Sequence, residues 1–376
     1  MMSNESKNNE NMNLPIINDE DSIPSEIRDS RSKITFPDFN IYKIGTFCGK
    51  YVDIPGGANE DSSAIQFQTQ DGDNQKFLIF TLDDSYSIIA ARHSGKVMDA
   101  YYNSSQNRII QFDFHNTNNQ KFFLSDNGTI ASKQDRQVWD VQGESTQNGA
   151  RIVVFKFIDV RNQKFTLNKL GSVPVHQPTL SPLPSAPDFR TNDINEQLPD
   201  QTNPVNTHFT YLPYFMVKDP LYNAQQQIKN SPYYTLVRRQ YWEKKTQRIL
   251  APSDTYEYSE TIGVSRTDQS SMTDITEISI GVDLGFVFKG FSAGLSTNVT
   301  RTLSVTKSTS NTESSESTRK LSYKNEFRHT IAYAKYMLIN EYYVTRANGE
   351  KITTGDATYW RVPNPEQTVA RIIPRS

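Results

Sequence analysis

Residues 71–80 read DGDNQKFLIF, and the tetrapeptide Asn-Gln-Lys-Phe inside this stretch decides the fold because it occurs three times. The copies begin 45 and 43 residues apart, at Asn74, Asn119 and Asn162. Upstream of each copy lies a short strand pattern that ends in an aspartate, namely Asp53, Asp99 or Asp140. Three such units of short strands and polar turns are too few for a useful solenoid, so we predict that they close into one threefold barrel.

A second strand pattern in each repeat has apolar residues at alternate positions. Strict alternation predicts that the central phenylalanine of this pattern faces the core and that the polar residue after it faces solvent. The phenylalanines are Phe67, Phe112 and Phe155, and the polar residues are Gln68, Asp113 and Lys156.

The repeat period, the aspartate and the Asn-Gln pair together resemble the ricin-B-type lectin β-trefoil over residues 38–170. In that family a lobe can hold a sugar between the early aspartate and the asparagine, while an aromatic ring stacks on the sugar. The resemblance implies three candidate carbohydrate sites: Asp53 with Asn74, Asp99 with Asn119, and Asp140 with Asn162. A carboxylate accepts from sugar hydroxyls and an amide both donates and accepts, so the hydrogen bonds of displaced water are replaced.

The second lobe is the strongest of the three candidate sites. Tyr101, Tyr102 and His115 can supply the aromatic platform that core-facing phenylalanines would not. An alternative stays open in every lobe, namely that the Asn-Gln pair mainly satisfies buried turn backbone. The glutamines concerned are Gln75, Gln120 and Gln163.

The composition argues against several classes of function. The 376 residues carry 40 Lys and Arg against 42 Asp and Glu, without the basic excess that nucleic-acid binding requires, so we expect no nucleic-acid partner. The single cysteine, Cys48, cannot form an internal disulfide or a thiolate metal cluster. The five histidines show no spacing typical of metal ligands, so we predict neither a metal site nor a cofactor.

The chain divides into four segments. Residues 1–37 are rich in Asn, Ser, Asp and Glu, which predicts a disordered leader, and Arg28, Arg31 and Lys33 are its expected protease-processing positions. A solvated tail without processing is the alternative. The first residues also lack the pattern of a secretory signal. After the trefoil come a proline-rich strap or spacer at 171–206 and a second domain at 207–376 whose composition favours strands.

Residues 278–306 show a two-faced pattern in this second domain. Apolar residues occupy even positions up to residue 288 and mostly odd positions after the turn at Lys289. The predicted lipid-facing residues are Ile278, Ile280, Val282, Leu284, Phe286, Phe288, Phe291, Leu295 and Val299. Each arm has the roughly 9 to 11 residues that a tilted strand needs to cross a bilayer, and such hairpins cross only as a closed barrel. We therefore predict a membrane-inserting hairpin, with an ordinary half-buried sheet as the alternative.

The start of the second domain carries another resemblance. Residues 212–220 (LPYFMVKDP), 227–234 (QIKNSPYY) and 241–242 (YW) resemble the carboxy-terminal domain of the Bin-type insecticidal crystal toxins, which are aerolysin-like proteins of spore-forming bacilli. The resemblance implies an all-β fold in which a trefoil precedes an elongated pore-forming domain.

The same resemblance implies a way of acting. It suggests storage in a parasporal crystal, proteolytic activation in an insect gut, and binding to a cell-surface glycan or glycoprotein receptor. Assembly into a homo-oligomer and insertion into the lipid of the target membrane would follow. Some members of the family act with a second toxin component, and the residues leave open whether this chain does.

Two other functional classes fit parts of the sequence. A lectin or haemagglutinin without pore activity would use the second domain only to oligomerise. A glycoside-active enzyme would need two carboxylates in a cleft, usually on a larger scaffold, which the Ser- and Thr-rich second domain argues against. Residues 290–294 (GFSAG) match a nucleophile elbow, but a strand pattern follows Gly294 where a helix is required, so we predict no enzyme activity.

Overall fold

The computed structural model describes residues 25–28, 34–82, 86–103, 107–353 and 358–374. The amino-terminal domain contains β1 (Asn40–Gly45), β2 (Tyr51–Asp53), β3 (Ile65–Phe67), β4 (Phe77–Thr81), β5 (Ser87–Ala91), β6 (Val97–Tyr101), β7 (Arg108–Phe112), β8 (Phe122–Leu124), β9 (Ile130–Ser132), β10 (Val138–Val141), β11 (Ile152–Phe155) and β12 (Thr166–Ser172). Strand β1 pairs with β12, so the first and last strands close the domain. The prediction of an amino-terminal trefoil is confirmed.

The second domain is built on a four-stranded antiparallel sheet in the order β13-β14-β19-β20. Two further strands, β15 and β18, pair as a ribbon, and β16 and β17 form a short hairpin. The strands are β13 (Val205–Pro213), β14 (Tyr233–Leu250), β15 (Thr255–Ile262), β16 (Ile278–Ile280), β17 (Phe286–Phe288), β18 (Ser317–Lys324), β19 (Ile331–Thr345) and β20 (Trp360–Ile373). The α-helices of the described residues are α1 (Ser25–Arg28), α2 (Ala224–Asn230), α3 (Arg266–Thr276) and α4 (Ala293–Leu303).

The β4–β5 hairpin of the trefoil docks on the second domain through a shared apolar core. Phe80 is fully buried, and its ring centroid lies 5.1 Å from that of Tyr233 and 5.7 Å from that of Tyr214. The Tyr214 hydroxyl donates to the Gly95 carbonyl at 2.7 Å, and the Tyr233 hydroxyl donates to the Asp38 carbonyl at 2.7 Å. The two domains therefore pack as one unit.

Gly95 lies where the trefoil backbone approaches helix α2 most closely. Its φ is +74°, and a Cβ at this position would lie 2.3 Å from the carbonyl oxygen of Ala224. Beside it, the Gln225 side chain donates to the His93 carbonyl at 2.8 Å. Only glycine combines this backbone angle with this approach, so the docking contact depends on it.

Parts of the expected leader and strap are packed. Ile27 of helix α1, which lies in the segment expected to be a disordered leader, is fully buried in a cluster with Tyr86 and Phe123 of the trefoil. The proline-rich strap lies along the second domain, where Phe189 packs in a cluster with Tyr336 of β19. It is a strap rather than a free spacer.

The predicted long hairpin at 278–306 is wrong for the folded chain in its first arm. Strand β16 pairs with β17 in the register Ile278 to Phe288, so this arm folds back on itself. The break falls at Gly281 and Gly285, which lie against the backbone or side chain of Ser308. A Cβ on Gly285 would lie 2.6 Å from the Ser308 nitrogen, so this approach requires a residue without a side chain.

The second arm of the predicted hairpin is helix α4. The Ser292 hydroxyl caps its start by accepting from the Leu295 N–H at 3.2 Å. Leu295, Val299 and Leu303 follow at intervals of four and are buried, as a helix with one apolar face requires. Thr297 and Arg301, the two exceptions to the alternating pattern, are exposed. Their exposure distinguishes a helical period from a strand period.

We expect Phe80→Ala to lower the free energy of unfolding by about 3–5 kcal/mol, because a large buried ring is lost from a shared core. Urea unfolding measures the loss, and hydrogen exchange should show reduced protection in β4–β5 and in β13–β14 alike. Leu180→Ala is the control, since Leu180 is 44% exposed and its loss should cost less than about 0.5 kcal/mol. Reduced protection confined to the trefoil would contradict a shared core.

Candidate functional site

One carboxylate lies at the same place in each lobe of the trefoil. Asp53, Asp99 and Asp140 are 3%, 3% and 6% exposed. Each accepts hydrogen bonds from both amides of its Asn-Gln pair. The distances are 3.0 and 2.8 Å from Asn74 and Gln75, 2.8 and 3.2 Å from Asn119 and Gln120, and 2.9 and 3.0 Å from Asn162 and Gln163. The structure thus brings the paired residues together in all three lobes.

The glutamine of each pair also holds the loop that precedes it. Gln120 donates to the Asp113 carbonyl at 2.8 Å and accepts from the His115 N–H at 2.9 Å. Gln75 and Gln163 make corresponding bonds, and all three glutamines are fully buried. Satisfaction of turn backbone therefore accounts for the glutamines, as the alternative interpretation held.

The burial of the three aspartates changes their acidity. Burial raises the pKa of Asp53, Asp99 and Asp140 above the ordinary value of an aspartate, and the amide hydrogen bonds offset this only in part. Beside Asp99, His115 also lowers the pKa. These carboxylates therefore lose their charge at a higher pH than exposed aspartates do.

The aromatic ring that sequence analysis placed in the core of each lobe faces outward. Phe155 is 45% exposed, and Phe67 and Phe112 are only partly buried. The prediction was therefore wrong for the phenylalanines, whereas Gln68, Asp113 and Lys156 are exposed as predicted. Each lobe therefore has a ring at its surface close in sequence to the carboxylate site.

Buried glutamines are the physical reason for this error. Gln66 is fully buried beside Phe67, and its amide donates to the carbonyls of Ser145 and Gln147 at 2.6 and 3.0 Å. Gln111 is buried in the same way in the second lobe. A polar side chain takes an inward position when distant loops satisfy it, and an alternating pattern cannot reveal those loops.

In the second lobe, His115 is the predicted residue that joins the site. Its Nε2 lies 3.3 Å from Oδ2 of Asp99, and its ring centroid lies 5.6 Å from that of Phe112. A carboxylate, an imidazole and an aromatic ring are thereby grouped around Asn119.

The two tyrosines of the second lobe make other contacts. The Tyr102 hydroxyl donates to Asp135 at 2.7 Å. Tyr101 is 39% exposed, and the guanidinium carbon of Arg108 lies 5.1 Å from its ring centroid. The Tyr101 ring therefore contacts the Arg108 cation, whereas we predicted that it stacks on a sugar.

The third lobe opens into a cavity of about 820 Å³. Asp140, Phe155 and Asn162 line it together with Arg108 and neighbouring residues of the second lobe. Oδ1 of Asn162 is buried and has no hydrogen-bond partner among the described residues. A free acceptor next to a carboxylate and an exposed ring is what a sugar hydroxyl and a sugar face require. Sequence reasoning ranked this lobe below the second, since a wall contributed by another repeat leaves no local pattern.

The predicted membrane-inserting residues lie mostly in the core that the two domains share. Ile278, Ile280, Phe286, Leu295 and Val299 are buried, Leu284, Phe288 and Phe291 are partly buried, and Val282 is 55% exposed. The Ser292 hydroxyl donates to the Leu82 carbonyl at 2.8 Å, and the Asn116 amide donates to the Gly290 carbonyl. The segment therefore rests directly against the trefoil.

Residues 263–316 form an insert that connects strand β15 to strand β18 at one end of their ribbon. Ile262 pairs with Ser317, which is the last pair of a ribbon that begins with Thr255 and Lys324. The ribbon carries exposed Ser, Thr, Glu and Lys side chains on one face. The whole insert is thus an extension of two paired strands.

The remaining predicted features are the processing positions and the GFSAG stretch. Arg28 is the last residue of helix α1, and Arg31 and Lys33 lie outside the described residues. A helix does follow the GFSAG stretch, contrary to our prediction, but the Ser292 hydroxyl is used as its cap. The described residues contain no group of three His, Cys, Asp or Glu side chains that could hold a metal ion. Among the described helices, none has the length and apolar character needed to span a bilayer.

Comparisons with known proteins bear out both resemblances. Residues 207–369 match the family described as insecticidal crystal toxin, P42, and residues 41–173 match the ricin-type β-trefoil lectin domain. The chain is 26% identical over 320 residues to binary larvicide subunit BinB of Lysinibacillus sphaericus, covering 78% of this chain and 70% of BinB. It is 25% identical over 294 residues to subunit BinA of the same organism, covering 75% and 76%. The crystal structure of Cry35Ab1 shares the fold, with a TM-score of 0.74, 20% identity and 90% coverage of both chains.

We expect Gln120→Ala to destabilise the trefoil more than Asn119→Ala. Gln120 is fully buried with three partners, and its loss leaves buried polar groups unpaired at about 1–3 kcal/mol each. Asn119 is partly exposed, so water can replace it. Thermal unfolding of the two variants measures the difference, and equal losses would contradict the division of roles within the pair.

Proposed function

We propose that this chain, a homologue of the Bin and Cry35 insecticidal toxins that joins a ricin-type lectin trefoil to a P42 toxin domain, binds a surface glycan and then permeabilises the target membrane. The glycan or glycoprotein receptor, the assembly into a homo-oligomer and the insertion into lipid are the proposed steps. Storage in a parasporal crystal of a spore-forming bacterium precedes them. Arg28, Arg31 and Lys33 remain the proposed processing positions.

The trefoil supports the glycan-binding step with repeated chemistry. Asp53 with Asn74, Asp99 with Asn119 and His115, and Asp140 with Asn162 are the proposed carbohydrate-binding residues. Two amides orient each carboxylate before a ligand arrives, so little ordering remains to be done on binding. We place the principal site in the third lobe, where the cavity, the exposed Phe155 ring and the free Asn162 oxygen coincide. Weak sites in the other lobes would strengthen attachment by multivalency.

The observation that carries the pore proposal is the connection of residues 263–316 to the β15–β18 ribbon. Because both ends of this insert leave from the single pair Ile262–Ser317, it can straighten into two longer strands while the rest of the sheet keeps its pairing. The straightened strands would present their alternating apolar face to lipid and their Ser- and Thr-rich face to a water-filled lumen. Ribbons from several copies would then pair into a closed barrel, since open edges are not tolerated in hydrocarbon.

Because the insert is largely buried, its straightening requires that the folded protein first open. Ile278, Ile280 and Phe286 leave the shared core only if the contact between the insert and the trefoil opens. Charged substitutions at Phe286 would therefore damage the folded protein before any effect on the membrane could be measured. Val282 is the suitable position, because it has the same strand parity and is exposed.

We expect Val282→Arg to leave folding intact and to abolish dye release from liposomes by the protease-treated protein. An arginine on the lipid face near the midplane costs about 2–4 kcal/mol per subunit. The control is Leu221→Arg, which places the same charge on a residue that is 67% exposed and outside the insert. Release at the wild-type level by Val282→Arg would refute the insertion of this segment. Absence of any release by the wild type would leave a lectin without pore activity as the function.

We expect glycan binding to weaken as the pH falls, with a midpoint above the ordinary pKa of aspartate. Sugar hydroxyls donate to the ionised carboxylate, and burial raises the pKa of Asp140, so protonation removes the acceptor at a higher pH. Calorimetric titration from neutral pH downward measures this. Asp140→Asn should bind weakly at every pH, whereas Asp53→Ala and Asp99→Ala should reduce binding less. Affinity that persists through the ordinary range of aspartate would contradict the role of the carboxylate.

The names of the relatives suggest a further component. BinA and BinB are described as subunits of a binary larvicide. Toxicity should therefore be measured for this chain both alone and together with a partner toxin. Membrane leakage by the single chain and killing of a host are separate readouts with different requirements.

A further inference from the structure

We propose that the third-lobe cavity selects an anionic glycan, with the carboxylate or sulfate of the glycan bound by Arg108 of the second lobe. This inference rests on the proposed glycan binding and adds the chemical class of the ligand. The cavity joins two surfaces with different chemistry: Asp140 and Asn162 on the wall of the third lobe, and Arg108 on the wall of the second.

Arg108 is a cation without a partner anion. Its Nε is buried and has no hydrogen-bond partner, and no carboxylate of the described residues forms an ion pair with it. The Tyr101 ring lies 5.1 Å from its guanidinium carbon, a cation–π contact that uses no hydrogen-bond donor. Arg108 lines the cavity without an ion-pair partner among the described residues, so the anion that pairs with it is supplied by a ligand.

The carboxylates of the cavity do not neutralise Arg108. Oε2 of Glu144 accepts from Nε of Arg161 at 3.2 Å, so this charge is already paired. Asp140 accepts from two amides at 2.9 and 3.0 Å. The unpaired charge on the second-lobe wall is therefore positive.

The dimensions of the cavity suit more than one sugar ring. Its volume of about 820 Å³ lies toward the upper end of the roughly 300–1,000 Å³ typical of small-molecule sites. One ring can stack on Phe155 with its hydroxyls on Asp140 and Asn162. An adjoining acidic residue would then reach the second-lobe wall, where the planar fork of a guanidinium binds a carboxylate or a sulfate through two parallel hydrogen bonds.

A glycan array tests the proposal when each neutral oligosaccharide stands beside its sulfated and its carboxylated counterpart. The wild-type protein should bind at least one acidic member about tenfold more tightly than its neutral parent, and the preference should shrink as salt is raised. Arg108→Gln should abolish the preference, measured as the ratio of the affinities for the acidic glycan and its neutral parent. Lys169→Gln is the control, because it removes one exposed charge from the trefoil outside the cavity. The two acidic arms show whether sulfate or carboxylate is the ligand.

The outcomes distinguish failure of the inference about Arg108 from failure of the proposed glycan binding. If Asp140→Ala has no effect on any glycan, glycan binding by this lobe is itself wrong. If Asp140→Ala abolishes binding while Arg108→Gln keeps the acidic preference, or if the wild type has no such preference, only the role of Arg108 is overturned. Thermal unfolding of Arg108→Gln excludes a folding defect as the cause of a lost preference.

Discussion

The apolar core shared by the two domains is the constraint on which the rest of the structure depends. Phe80 of the trefoil and Tyr233 of the second domain belong to the same cluster as Ile278 and Phe286 of the insert. The domain proposed to recognise a target and the segment proposed to enter a membrane are therefore held together by one set of contacts. Burial of these side chains keeps the folded chain compatible with water.

The same arrangement places one of the proposed sugar sites next to the insert. The second-lobe loop that carries His115 also carries Asn116, whose amide donates to the Gly290 carbonyl. The third-lobe cavity instead lies between repeats and is lined by trefoil residues alone. Recognition by the third lobe can thus change without disturbing the packing of the insert, whereas changes in the second lobe affect both.

Sequence reasoning succeeded where the signal was periodic and local. The three Asn-Gln pairs identified the trefoil, and the structure brings each pair together with its aspartate. It failed where the deciding contact came from elsewhere in the chain. Gln66 is buried because loops about 80 residues away satisfy its amide. Arg108 belongs to a cavity of the next repeat, and no pattern within its own repeat reveals this.

The error in the insert has a different origin. Apolar residues spaced by four satisfy both an alternating pattern and one face of a helix, so Leu295, Val299 and Leu303 fit either structure. The exposed Thr297 and Arg301 and the cap at Ser292 decided in favour of the helix. A segment whose sequence fits both a helix and a strand can convert between the two conformations with little conflict with its local sequence preference.

The close approach at Gly95 bears on how such proteins can diversify. A lectin domain with an ordinary side chain at the position of Gly95 would bring its Cβ against the carbonyl of Ala224 and displace the carbonyl that accepts from the Tyr214 hydroxyl. Exchange of whole trefoil domains is therefore restricted to donors that keep a glycine in this β5–β6 turn. Under the proposed function, a new binding specificity would arise instead by drift in the outward loops of the third lobe, one residue at a time.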